Sequence, residues 1–398
     1  MKFILVILFS ISAIAETSNS SSLTVSTVHQ VTFEITKKLK IPPPQMALMA
    51  SVANTTAYSL VNSQLAYTAA FIEIYALAYP SERVWIDQIL KDFTSAQDLA
   101  TIQSARKVAQ IQWNQALPLF QKAGAALEKP WPAEGYAEGH WRPTPPAFAQ
   151  PLYPNWHQLF TYSDINVKAE LDLIAPTLFN IGDYQTEMFE VQRLGSVQSE
   201  SRTPAQTQMA VFWAAGGGTI TPPGMWMEST LQLLKNEDVG FKNSARTMML
   251  LTQALSDAGV AAWAAKYKHA TCRPVTAIAD FMGQKDWKPL LATPPFPAWV
   301  SGHSTFSSAA AMVLDSLRLI KGDGITFQSE AVAGVKKSFP TAYQAALEAG
   351  ISRIYGGIHF QDDNTDGLQL GQKVGCAVMI KNGLQCKAQS YSQRFPFR

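Results

Sequence analysis

Charge, cysteine and long hydrophobic runs are all scarce in this sequence, and each scarcity closes off a class of protein. Only 16% of the 398 residues are charged, against 47% that are hydrophobic. A chain so apolar and so weakly charged has a core to bury, which excludes disorder as its general state. The formal net charge is +2, so nothing suggests a nucleic-acid footprint, and any functional cation is expected to act locally. Past the N-terminus no apolar run approaches the ~20 residues of a spanning helix, so no membrane insertion is expected of the mature chain.

The N-terminus has a pattern of its own. Met1 and Lys2 form a minimal positive start, Phe3 to Ile11 are nearly all apolar, and Ala13, Ile14 and Ala15 make a small-x-small site. This reads as a secretory signal peptide over residues 1–15, with Glu16 first in the mature chain; the other reading is an uncleaved anchor. An exported protein, periplasmic or secreted, is expected. There are three cysteines. In an oxidising compartment Cys376 and Cys386 either close a small loop or remain two partly buried thiols. Cys272, beside Arg273, reads as a packing residue.

Most of the chain has helical periodicity. A weakly patterned lead-in covers residues 16–40. One long helix is expected from Pro44 to about Ala78, two more over residues 82–126, and others at 168–192, 203–215 and 229–268. Residues 129–155, rich in Pro and aromatics, cannot continue a helix and read as a long extended connection. Thr221 to Gly224 reads as a turn, and 329–349 and 366–381 as helices. No strand-turn-strand series is apparent. The expected fold is all-α: two packed helical bundles joined by the Pro/aromatic-rich connection. The expected regions are an N-terminal helical region at 16–150 and a C-terminal bundle at 151–398 that holds the catalytic site.

Three short clusters carry chemistry. Lys266 and Arg273 lie seven residues apart, and Pro274 follows; on one helix both cations share a face. Ser301, Gly302 and His303 precede a strong helix, where free amides attract anions and Gly admits close approach. Arg353 and His359 flank Gly356 and Gly357, which let the chain turn. Asp363 lies one helical turn past His359, where a carboxylate can hold a ring proton on one nitrogen. Singly, each cluster has an ordinary explanation: a solvated basic face, an N-cap, a surface His/Asp pair. Together they are an inventory for holding a tetrahedral oxyanion beside a nucleophile and an acid. Gly216 to Gly218 lacks the Lys-Ser/Thr of a phosphate loop. Asp362 to Gly367 opens like a calcium loop, but Lys373 stands where its closing Glu belongs.

In order and spacing, Lys-x6-Arg-Pro, Ser-Gly-His and Ser-Arg-x5-His-x3-Asp resemble the signature of the vanadium-dependent haloperoxidases and the related type 2 phosphatidic acid phosphatases. Segments around Trp141, Phe212, Trp287, Thr293 and Ile354 resemble the soluble bacterial haloperoxidase-like branch, over roughly residues 60–380. The resemblance implies that His359 ligates vanadium or accepts phosphate. It implies that Lys266, Arg273 and Arg353 neutralise the equatorial oxygens, that Ser301 and the Gly302 amide bond to them, that His303 handles protons, and that Asp363 orients His359. Phe296 matches an aromatic position of chloroperoxidases and is a halide-site candidate. The implied cofactor is vanadate, with hydrogen peroxide and halide as substrates; a phosphatase would need no cofactor and would take a phosphate ester. A non-catalytic oxyanion-binding protein is the third possibility. Two positions depart from the pattern: Val300 stands where Pro is usual, and Ala214 to Gly218 has no carboxylate where relatives often carry Asp.

Overall fold

Proline begins helices here more than it ends them. Its missing N–H is harmless in a first turn and its fixed φ suits one. The computed structural model describes residues 25–91, 98–125, 138–174 and 181–386; the signal-peptide reading, and the Lys129 end of the connection, lie outside these. The described helices are α1 (Val25–Leu39), α2 (Pro43–Tyr58), α3 (Gln64–Ala78), α4 (Arg83–Lys91), α5 (Leu99–Gly124), α6 (Val167–Leu173), α7 (Ile181–Gly195), α8 (Pro204–Phe212), α9 (Thr221–Asn236), α10 (Phe241–His269), α11 (Pro274–Phe281), α12 (Gly302–Leu317), α13 (Ala342–Tyr355) and α14 (Gln361–Lys381). Helices α2, α8, α9 and α11 all carry Pro in the first two positions.

The all-α expectation holds, with local corrections. The long helix from Pro44 to Ala78 is two, because Ser63 caps a fresh start by accepting the Ala66 amide. Residues 25–39 of the supposed lead-in form α1, buried through Val28, Val31, Phe33 and Ile35. Thr221 to Gly224 is the first turn of α9, not a separate turn. One antiparallel hairpin is present: β1 (Ile325–Gln328) pairs with β2 (Lys336–Phe339), Ile325 opposite Phe339. The helix expected from 329 therefore starts at Ala342, where Thr341 accepts the Gln344 amide. Among the described residues no helix is long and apolar enough to cross a membrane. Cys376 and Cys386 are disulfide-bonded, Cα atoms 5.2 Å apart.

Helix α10 is the axis, its middle turns buried on every side. Helix α2 packs against it from the N-terminal group of α2, α3 and α5; α12 packs against it from the C-terminal group of α12, α13 and α14. One continuous apolar cluster runs through both groups. Just past the connection the chain crosses α10: Asp257 accepts the Tyr162 and Ser163 amides at 2.8 and 2.9 Å, and Trp156 is buried in a short turn that touches α5 and α10.

The contact between α12 and α14 places the site. Gly367, Gly371 and Gly375 recur every four residues on one face of α14. A Cβ at these positions would sit 2.8 Å from the Ser301 carbonyl, 2.2 Å from that of Thr305 and 2.7 Å from that of Ala309. Glycine lets the two backbones nearly touch. Ser304 Oγ then donates to Asn364 Oδ1 at 2.8 Å, and the Ser301 amide to the Asp363 carbonyl at 2.8 Å. The start of α12 is thereby fixed beside the start of α14.

Candidate functional site

Five helix ends meet at one point. Lys266 lies in the last turn of α10; Ala270 then turns left-handed (φ 49°) and the helix stops. Arg273 is the N-cap of α11, begun by Pro274. The spacing predicts that the two cations share a face of one helix; they do not. They meet because the chain folds back between two helices. Ser301 caps α12, its Oγ accepting the Ser304 amide at 3.3 Å. Arg353 closes α13. Gly357, at φ 76°, turns the chain, and Asp363 stands in the first turn of α14.

The side chains converge. Arg273 Nη1 lies 3.0 Å from His359 Nε2 and donates to the Ile358 carbonyl at 2.7 Å; its Nε donates to the Phe296 carbonyl at 2.8 Å. Arg353 Nη2 donates to the Ala210 carbonyl at 2.7 Å, and its Nη1 is 3.4 Å from His303 Nε2. Lys266 Nζ donates to the carbonyls of Pro297, Ala298 and Val300 at 2.9, 3.0 and 2.6 Å. Phe296 packs its ring 5.0 Å from Lys266 Nζ, 5.0 Å from the Arg273 guanidinium and 5.0 Å from the Trp263 ring. Lys266, Arg273, Arg353, Ser301, Gly302, His359 and Asp363 are all buried; His303 is half-buried.

Protonation states follow from these partners. Burial, and then the Arg273 charge, push the Lys266 ammonium well below its ordinary range. Yet three carbonyls surround Nζ, and only the charged form has three N–H groups to give them. Lys266 is therefore an ammonium with every donor in use. It acts as a fixed charge. Burial lowers Arg273 to about 10 and Arg353 to about 9, which leaves both charged at neutral pH. His359 is driven well below its usual value by burial and then by Arg273 and Lys266. Its Nδ1–H donates to Asp363 Oδ2 at 2.9 Å, so Nε2 carries the lone pair. Burial raises the Asp363 carboxyl, against the Phe360 amide, Lys266 and Arg273, which all favour its ionised form.

The charges do not balance. Three buried cations face one buried carboxylate, and burying unpaired charge is costly. Arg273 Nη2 is buried with no hydrogen-bond partner. Nothing in the protein crowds Gly302: a Cβ there would make ordinary contacts with Trp263 and Phe306, at 3.7 and 3.9 Å. The donor set, the excess positive charge and the orphaned guanidinium nitrogen all fit an oxyanion with a ligand position at His359 Nε2. Vanadate and phosphate both meet that description. No group of three or more His, Cys, Asp or Glu residues suited to a metal cation occurs among the described residues, and Asp362, Asn364 and Asp366 lie in α14 rather than in a calcium loop.

Sequence reasoning missed the backbone carbonyl of Trp213, which accepts from His303 Nε2 at 2.9 Å. A main-chain acceptor leaves no mark in side-chain spacing. It also missed Trp263, one helical turn before Lys266, whose ring lies 5.9 Å from Lys266 Nζ. An aromatic at i−3 of a motif lysine was the available signal.

Several known proteins are similar to this chain. Residues 246–383 match the family model of the second helical-bundle domain of vanadium chloroperoxidase. Every residue of the cluster from Lys266 to Asp363 falls inside that stretch. The chain is 26% identical over 231 residues to the vanadium chloroperoxidase of Curvularia inaequalis, a match over 42% of this chain and 38% of that protein. It therefore spans well under half the length of that relative. Among solved structures, a bacterial vanadium-dependent iodoperoxidase superposes with a TM-score of 0.74 at 23% identity, over 92% of this chain and 97% of the other. A bacterial vanadium-dependent chloroperoxidase in holo form gives 0.67 at 13% identity, over 86% and 92%. The resemblance carried by the three motifs is borne out, and these structures share the all-α fold.

Proposed function

We propose that this protein is a vanadate-dependent haloperoxidase that oxidises a halide with hydrogen peroxide. The observation that carries the reading is the buried, net-positive cluster of Lys266, Arg273 and Arg353 around the unprotonated Nε2 of His359. Vanadate, when bound, supplies a Lewis acid that activates peroxide without changing its own oxidation state. The chain's residues do the rest. His359 Nε2 offers the ligand lone pair, kept available because Asp363 holds the proton on Nδ1. Arg273 Nη2, the Ser301 hydroxyl and the Gly302 amide donate to oxyanion oxygens, while Lys266 and Arg353 offset their charge. His303 moves protons at the rim. Phe296 and Trp263 keep water from the cation side and line the candidate halide position. The disulfide fits an exported protein, periplasmic or secreted, matured from the 1–15 signal.

The deciding experiment gives the purified protein vanadate, hydrogen peroxide and bromide or iodide, and follows halogenation of a phenol indicator. Turnover that needs vanadate and vanishes in His359→Ala is expected. Hydrolysis of a phosphate monoester that vanadate inhibits, without halogenation, would replace this reading with a phosphatase acting through His359. Tight oxyanion binding with neither activity would leave a binding protein.

A further inference from the structure

The segment from Trp213 to Ile220 follows α8 and reaches the site rim, yet its three glycines, Gly216 to Gly218, have nothing to pack with. A Cβ built at Gly216, Gly217 or Gly218 meets no atom within 4 Å. Glycine is also the most conformationally free residue. The segment must be held at its ends. At the far end the Ile220 amide donates to Glu330 Oε2, in the hairpin loop, at 2.9 Å. At the near end the Trp213 indole packs 5.1 Å from Phe327 and 6.2 Å from Phe339, on the two strands. Its Nε1 donates to Glu348 Oε1 at 2.9 Å, and the same oxygen receives Lys337 Nζ at 2.6 Å. Lys337 in turn lies over the Phe212 ring at 5.4 Å.

What this scaffold holds is the Trp213 carbonyl, 2.9 Å from His303 Nε2. A carbonyl can only accept, so Nε2 carries the proton and Nδ1 the lone pair. Arg353 Nη1, which also neighbours Nε2, is a donor and cannot serve as acceptor; the Ala214 main chain, next in the same segment, is a further acceptor for the ring.

We infer that Glu348 is a positioning residue for His303: by fixing the Trp213 indole it fixes the carbonyl that selects one tautomer and one orientation of the His303 ring. Residues 214–218 lack a carboxylate of their own; α13 supplies one from outside the segment, with Lys337 of β2 holding it in place. The catalytic consequence rests on the proposed role of His303, whereas the tautomer does not.

The test uses full-length protein labelled with 15N-histidine. There are six histidines, and a His303→Asn variant assigns the one in question. Long-range 1H–15N spectra of the unloaded protein should show His303 as a single Nε2–H tautomer. Glu348→Ala and Trp213→Phe should both give a tautomer-averaged pattern. Glu348→Gln, whose amide oxygen still accepts the indole N–H, should restore the single tautomer. Turnover should fall about tenfold or more in the first two, with KM little changed. The double variant should be no worse than either single one, because both break the same link. A His303 that keeps its pure Nε2–H signature in Glu348→Ala overturns the inference. So does an averaged pattern that Glu348→Gln fails to restore. If the tautomer responds as expected in a protein with no halogenating activity, the proposed function fails and this inference stands; an active enzyme with an unmoved tautomer gives the reverse.

Discussion

Replacing Asp363 with Asn separates charge from hydrogen bonding at the heart of the site. Both bonds that the Asp363 side chain accepts go to one oxygen: Oδ2 takes the His359 Nδ1–H at 2.9 Å and the Phe360 amide at 3.0 Å. An Asn oxygen can accept both. What disappears is the one carboxylate facing three cations, of which Lys266 and Arg273 are 0% exposed and Arg353 is 1%. Removing one partner of a buried ionic group typically costs about 3–5 kcal/mol. The new NH2 would take the place of Oδ1, which has no hydrogen-bond partner. Asp363→Ala loses the charge and both bonds, and should cost a further ~1–3 kcal/mol for the donors left unpaired. An oxyanion can supply the missing charge. Phosphate at about 100 times its Kd stabilises a wild-type binder by about 2.7 kcal/mol, and at equal phosphate the gain in Asp363→Asn should be larger. Urea denaturation in phosphate-free and phosphate buffers reads both quantities. If Asp363→Asn unfolds within about 1 kcal/mol of wild type without phosphate, or gains no more from phosphate than wild type, the charge-imbalance argument is wrong.

The N-terminal helices carry a separate titration. His29 is buried between the Val25 carbonyl and Asn54 Oδ1, and burial lowers it to about 4. Its folded value lies below the unfolded one, so the unfolded chain binds a proton that the folded chain refuses, and stability is lost as pH falls from about 6.5. By pH 4 the loss amounts to about 3 kcal/mol. The His29→Gln variant lacks this slope, so its stability relative to wild type should improve by about that amount between pH 7 and pH 4. Opposing slopes, such as that of Asp257, whose carboxyl burial raises to about 6, are common to both proteins and cancel; a constant gap in urea midpoints would refute the assignment. Gly371→Ala places a Cβ 2.2 Å from the Thr305 carbonyl. It should cost about 3 kcal/mol and weaken phosphate binding by parting Ser301 from His359, whereas Gly216→Ala, in open space, should stay within ~0.5 kcal/mol of wild type.

The site was legible where its chemistry is local in sequence. Ser301, Gly302 and His303 are consecutive, and a cap followed by an apolar run has a physical signature. His359 and Asp363 are one turn apart, and the structure joins them as that spacing predicts. Lys266 and Arg273 were legible as a pair of cations but misplaced on one helix. Pro274 opens α11 instead of interrupting α10, because a first-turn proline lacks only an N–H that the helix does not use. The hairpin was hidden for another reason. Its strands have four residues each, and β2 reads Lys336, Lys337, Ser338, Phe339, with only Phe339 buried. Two periods of alternation cannot be told from loop. The glycines of α14 read as weak helix formers, since only a partner helix gives their spacing meaning.

What no spacing could show is why the protein tolerates so much buried charge. Three of the cluster's four charges sit at the helix end whose dipole favours them; Arg273, at the N-cap of α11, is the exception. Lys266 and Arg353 lie in the last turns of α10 and α13, at negative ends. Asp363 lies in the first turn of α14, at a positive end. Each placement is worth about 0.3–1 kcal/mol when exposed, and up to ~2 kcal/mol when partly buried. The start of α12 adds a further positive end, carrying the Ser301 hydroxyl and the Gly302 amide, and the fixed protein charges leave it uncompensated. Helix ends therefore ease the burial of the protein's own charges and leave one net positive focus, beside His359 Nε2. The all-α fold contributes to the site through these termini. Lengthening α10 past Ala270, for example by a change that removes its left-handed residue, would move Lys266 away from a helix end without touching any residue that meets the ligand.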